Sequence, residues 1–101
     1  MLKNFRTFDL AVRFYRCARR LPLKGHLRDQ LLRASSSIVL NLAEGRGKPS
    51  VKDQKRFFNI SLGSLRECQA VLVLEGLEEH EAWKILDSLA AHLYRLIQRM
   101  A

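Results

Sequence analysis

Ser37-Ile38-Val39-Leu40-Asn41-Leu42-Ala43-Glu44-Gly45 sets an amide and a carboxylate three positions apart in a run of large aliphatic residues. Phe58-Asn59-Ile60-Ser61-Leu62-Gly63-Ser64-Leu65-Arg66-Glu67 repeats the arrangement with Ser64 and Glu67. On a helix, positions three apart share a face, so each pair projects from among Leu, Ile, Val and Phe. An unpaired amide or carboxylate there would cost several times what a satisfied one contributes. The two stretches therefore predict helices that bond to one another or to other helices through Asn41, Glu44, Ser64 and Glu67.

Working outward, Leu27, Leu31, Ala34, Ser35, Ile38 and Leu42 recur at spacings of three and four and mark one helix as far as Gly45. Gly45-Arg46-Gly47-Lys48-Pro49 reads as its stop, a glycine suited to a left-handed cap with a proline shortly after. Ser50 followed by Asp53 resembles a capping box that opens the next helix. There Phe57, Phe58, Ser61, Leu65, Cys68 and Leu72 form one face, and Ile60, Gly63, Ala70, Val71 and Leu74 a second, less continuous one. Gly63 gives up about 1 kcal/mol of helix propensity relative to alanine, which a close helix approach would explain. Ser35-Ser36-Ser37 is a small-residue patch expected to bond back to helical carbonyls.

Upstream, Phe8 to Leu21 reads as a helix with Thr7 as cap and Pro22 as its end. Its polar positions Asp9, Arg13, Arg16 and Arg20 occupy one narrow face, and apolar residues cover more than half the circumference. One neighbour could not shelter that surface. Downstream, Gly76 ends the third helix, Glu78, Glu79 and Glu81 favour a helix start, and Ala82, Leu86, Leu89, Leu93, Leu96 and Met100 mark a fourth helix running to the end of the chain. Arg95 and Arg99 suit its C-terminal end. Four helices with short connections predict an all-α, antiparallel up-down four-helix bundle formed by one domain, residues 1–101.

The 101 residues are 48% apolar, and the longest unbroken apolar run, Ala70 to Leu74, is far short of a membrane span. Met1-Leu2-Lys3-Asn4-Phe5-Arg6 lacks the apolar stretch of a secretory leader, so the expectation is a soluble, cytoplasmic protein with reduced, buried Cys17 and Cys68. The net charge of +8 hides an asymmetry. Residues 1–66 hold 15 of the 18 Lys and Arg against 4 of the 10 Asp and Glu, a net +11; the remainder is 3 against 6, a net −3. A basic surface of this kind gains affinity for polyanions by releasing condensed counterions. A solubilising charged face has the same composition.

Catalytic and metal motifs fail on inspection. His80-Glu81-Ala82-Trp83-Lys84 begins like a zinc-protease helix but has Lys84 where the second histidine belongs. Gly47-Lys48-Pro49-Ser50 lacks the first glycine of a phosphate-binding loop, Leu42 standing in its place. No Glu-x-x-His occurs, and His26 and His92 are isolated. The expectation is a protein that is not an enzyme, with no metal and no cofactor. The basic positions are more suggestive. Arg46, Lys48, Lys52, Lys55 and Arg56 surround the turn between the second and third helices, and Arg13, Arg16 and Arg20 line the first. With no recognition-helix motif and no aromatic ladder on the basic face, binding would read backbone charge and shape.

In order and spacing, Phe5-Arg6, the Asn-x-Ala-Glu-Gly segment ending at Gly45 and the Gly-Ser-Leu-x-Glu segment from Gly63 to Glu67 resemble the bacterial four-helix-bundle family found in intervening sequences of large-subunit ribosomal RNA genes. The same fold occurs in the accessory variability proteins of diversity-generating retroelements. The resemblance implies a homopentamer and a role alongside RNA or DNA, with a reverse transcriptase as a further partner. It agrees with helices that carry apolar surface on two sides. The leading expectation is thus a non-enzymatic oligomer that contacts RNA or DNA through its basic surface. The alternative is a scaffold that meets an acidic partner protein.

Overall fold

The computed structural model describes residues 5–100; Met1–Asn4, which carry most of the leader argument, and Ala101 lie outside it. Four helices follow in order: α1 (Arg6–Arg19), α2 (Gly25–Arg46), α3 (Val51–Leu74) and α4 (Glu81–Gln98). No strand occurs among the described residues. Each helix packs on two others, in the cycle α1 on α2, α2 on α3, α3 on α4 and α4 on α1. With 24 residues at about 1.5 Å rise, α3 spans nearly the whole 39 Å length of the molecule.

Local signals explain most of the helix ends. Ser50 caps α3, its hydroxyl accepting from the Asp53 N–H at 3.1 Å. The α2–α3 turn before it is tied down by Gln54, whose side-chain amide donates to the Lys48 carbonyl at 2.8 Å. After α3, Gly76 takes φ +68°, the Leu77 N–H donates to the Leu72 carbonyl and the Gly76 N–H to the Val73 carbonyl. This is the Schellman pattern, which needs a residue free to adopt a left-handed backbone.

Two expected caps differ. Thr7 is buried inside α1 rather than capping it, and Phe5 occupies the cap position with no side-chain cap bond. The start of α1 is held instead by Phe5 itself, which is 3% exposed and lies 6.2 Å from the Phe58 ring. Helix α4 starts at Glu81, capped by the His80 ring nitrogen accepting from the Ala82 N–H at 2.9 Å. Gly45 is not a cap. It lies inside α2, and Gly47 after it has an ordinary right-handed φ of −84°. Helix α2 ends there because Lys48 precedes Pro49, and a residue before proline is pushed out of the helical region.

Phe14, Leu31, Ile38, Leu42, Leu65, Leu72, Leu86, Leu89 and Leu93 are fully enclosed and come from all four helices. The α2–α3 seam runs antiparallel, with Gly45 against Phe58, Ile38 against Ser61, Ser37 against Ser64 and Gln30 against Glu67. A Cβ on Gly45 would come within 2.7 Å of the Phe58 ring, so this glycine is what lets the seam close. Gly63, where a close approach was expected, has nothing within 4 Å of a Cβ position. It belongs to the outer stripe of α3 with Ile60, Ala70 and Leu74, all exposed, whereas Val71 turns inward to the core.

Candidate nucleic-acid interface

The positive side chains at the α2–α3 turn are organised by aromatic rings. Lys48 Nζ lies 5.2 Å from the centre of the Phe57 ring and Arg56 Cζ 4.5 Å from the same centre. Arg46 Cζ sits 4.7 Å from the Phe5 ring centre, and Phe5 in turn stacks 6.2 Å from Phe8. A cation over an aromatic face is held by the ring quadrupole and keeps its outer hydrogen-bond donors available. These cations therefore have aromatic supports that the sequence pattern concealed, because Phe57 reads as part of an apolar helical face and Phe5 precedes the first expected helix. Lys52 and Lys55 lie on the first turns of α3 beside this group, with Lys52 exposed and Lys55 half-buried.

Arg13, Arg16 and Arg20 form a second set. All three are exposed and line one shallow groove along α1. Arg13 lies seven residues beyond Arg6, about 10 Å of helix rise, and Asp9 lines the groove between them. Two of the eight sequence-predicted cations meet carboxylates. Lys48 pairs with Glu44 at 3.0 Å and Arg13 with Glu81 at 3.7 Å. Both carboxylates are more than half exposed, and solvent-facing pairs of this type contribute at most about 1 kcal/mol, so a phosphate could displace either one. Arg16, Arg20, Arg46, Lys52, Lys55 and Arg56 form no ion pair among the described residues.

The four polar positions divide in two. Ser64 donates its hydroxyl hydrogen to Ser37 Oγ at 2.9 Å, and Gln30 Nε2 donates to Glu67 at 2.6 Å, both across the α2–α3 seam. Asn41 and Glu44 do not cross it. Asn41 Nδ2 donates to the Ser37 carbonyl at 2.9 Å and to Ser37 Oγ at 3.1 Å, while Glu44 turns outward to Lys48. Asn41 thus fixes the serine that receives Ser64, an arrangement of three side chains within reach of one another. A bond that the helical spacing did not single out completes the seam. Ser61, wholly buried, donates to the Ile38 carbonyl at 3.0 Å. Ser35 and Ser36 bond back to the carbonyls of Leu32 and Arg33.

Among the described residues, no buried side-chain nitrogen or oxygen lacks a partner. Both cysteines are buried and free. Burial pushes the Cys68 thiol up to about 12, helped by the negative charge of Glu67. Burial also raises Cys17, against the pull of Arg20.

Over residues 5–100 the chain matches the family described as 23S rRNA-intervening sequence protein. The chain belongs to that family. No curated protein and no solved structure matches it. Membership in the 23S rRNA-intervening sequence protein family extends over all four helices, from Phe5 under Arg46 to Met100 beyond the end of α4. Three arginines that the sequence pattern left out of the basic set, Arg6, Arg95 and Arg99, border the same cavity as Arg46. They were hidden because they lie 40 or more positions from Arg46 along the chain.

Proposed function

We propose that this member of the 23S rRNA-intervening sequence protein family is a non-enzymatic nucleic-acid-binding bundle that holds RNA by its phosphate backbone. DNA is the weaker-favoured form of the same polyanion. The observation that carries this reading is the cation group at the α2–α3 turn, where Arg46, Lys48 and Arg56 rest on aromatic rings in a chain of a ribosomal-RNA-related family. Contacts of this kind recognise charge and groove shape in preference to base sequence. Arg13, Arg16 and Arg20 would extend the contact along α1.

The reading includes an up-down antiparallel arrangement of all four helices and assembly into a homopentamer. Support for assembly comes from apolar side chains left in solvent by a single chain, with Leu40 66% exposed and Leu74 71% exposed. Association with a reverse transcriptase rests on the retroelement resemblance alone. A cytoplasmic location is proposed with it; among the described residues, no helix is long and apolar enough to cross a membrane.

The test is titration of a labelled single-stranded RNA at two salt concentrations. Affinity should fall steeply with salt, and Lys52→Gln, Lys55→Gln and Arg56→Gln together should weaken binding alike for unrelated sequences. The slope of log affinity against log salt should drop by about 2, since each lost phosphate contact on a single strand contributes about 0.7. No binding at low salt, or binding indifferent to salt, would rule out the mechanism. In the latter case, copurification of an acidic protein that survives nuclease treatment would favour the scaffold reading.

A further inference from the structure

At the end of the molecule that carries the α2–α3 turn lies an open cavity of about 450 Å³. Its walls include Phe5, Arg6, Arg46, His92, Arg95 and Arg99, drawn from the start of α1, the end of α2 and the end of α4. Four arginines thus line one space, and no acidic residue among the described ones lines it with them. None of the four arginines forms an ion pair among the described residues. Arg46 is braced on the Phe5 ring, and His92 is held by the bond between Nδ1 and the Ser88 carbonyl at 2.8 Å. Helix α1 begins at the same end, and Phe5 gives its first turn no side-chain cap bond.

Arginines near the ends of α2 and α4 also answer the negative ends of those helices' dipoles, an effect of about 0.3–1 kcal/mol each. That effect operates anywhere around the last turn. It gives no reason for Arg46, Arg95 and Arg99 to face one cavity together with Arg6 from the opposite kind of helix end. Four like charges lining one space repel one another, and with no acidic side chain among the described residues to offset them, a bound anion would relieve that repulsion.

We propose that this cavity is a phosphomonoester site. A backbone phosphodiester offers one negative charge and two unesterified oxygens, which suits the open track of Arg13, Arg16 and Arg20. A phosphomonoester carries about −1.5 to −2 charges and three acceptor oxygens, a closer match to four forked donors. Two sources share this chemistry, the phosphorylated end of an RNA strand and a free phosphate compound. The first rests on the RNA-binding reading above, whereas the site itself does not.

The experiment follows arginine side-chain NMR resonances during titration with inorganic phosphate, beside binding of one short RNA bearing either a 5′-phosphate or a 5′-hydroxyl. Wild type should show saturable shifts of the cavity arginines and bind the 5′-phosphorylated RNA about tenfold more tightly, equivalent to about 1.4 kcal/mol. Both effects should vanish in R46Q/R95Q and persist in K52Q/K55Q. Should R46Q/R95Q fail to fold, R95Q/R99Q, which alters two exposed side chains outside the Phe5 contact, reports the same loss. Saturable phosphate shifts with equal binding of the two RNAs would assign the site to a free phosphate compound. Saturable shifts with no RNA binding at all would uphold the site and overturn the RNA reading. RNA binding without saturable phosphate shifts and without a 5′-phosphate preference would overturn the site and leave the RNA reading standing. A preference that survives both arginine variants would overturn it equally.

Discussion

The two sides of α3 follow opposite rules. Its inner side closes on α2 through Gly45, Phe58, Ser61 and Ser64, with backbone so near that a methyl group on Gly45 would press into the Phe58 ring. Its outer side carries Ile60, Gly63, Ala70 and Leu74 in solvent, and Gly63 has open space around it. Both sides are apolar in sequence, yet only one is packed. Apolar periodicity marks which faces need shelter, whereas the packing of the other helices decides which ones a single chain can shelter.

The sharpest test of that contrast is Gly45→Val. Overpacking at a closed seam costs about 3 kcal/mol, the upper end of its usual range, so the midpoint of urea unfolding should fall markedly. An unchanged midpoint would mean that the α2–α3 seam is looser than the Gly45–Phe58 approach implies.

Cys68, on the inner side, supplies a pH test. Below about pH 9 the thiol is protonated in folded and unfolded chains alike. Between 9 and 12 the unfolded chain releases the proton and the folded chain holds it, since burial raises the folded value to about 12. Fewer protons bound by the unfolded state means that stability falls as pH rises, by up to about 1.4 kcal/mol per pH unit for one group. Urea unfolding from pH 8 to 10.5 should therefore show a steeper decline for wild type than for Cys68→Ala, in which this proton is absent. Parallel declines would contradict the buried thiol.

On the outer side, Gly63→Ala should raise the stability of an isolated chain by about 1 kcal/mol through helix propensity alone. The result sharpens the comparison in either direction. A gain in melting temperature with unchanged assembly size by light scattering marks the stripe as solvent-facing. A loss of assembly would show that another copy approaches Gly63 closely, which would give the small residue its reason.

The smallest effect is expected at Glu44→Ala. Its bond to Lys48 is a surface pair within one helix end, so the stability change should stay within about 0.5 kcal/mol. A loss of several times that size in thermal unfolding would mean that Glu44 has a partner beyond Lys48, and would restore it to the seam with Ser64 and Glu67.

Much of the candidate interface was legible as a list of residues and illegible as an arrangement. Arg46, Lys48, Lys52, Lys55 and Arg56 are close in sequence, so a turn between two helices was enough to group them. Their seating on Phe5 and Phe57 was not readable, because an aromatic at helical spacing has the same pattern whether it enters the core or supports a cation at its edge. Asn41 illustrates a different gap. Its side chain had to be satisfied, and the sequence offers both a neighbouring helix and the carbonyl four residues back; the local bond to Ser37 prevailed.

What the sequence determined alone is the set of four helices, since stripes at spacings of three and four, the Ser50 cap and the Gly76 turn act through residues only a few positions apart. The tertiary structure decided which glycine is a contact, which polar groups cross a seam and which arginines meet. Arg6, Arg46, Arg95 and Arg99 come together only because three helix ends are packed side by side. That juxtaposition depends on contacts across tens of residues, to which no local pattern is sensitive.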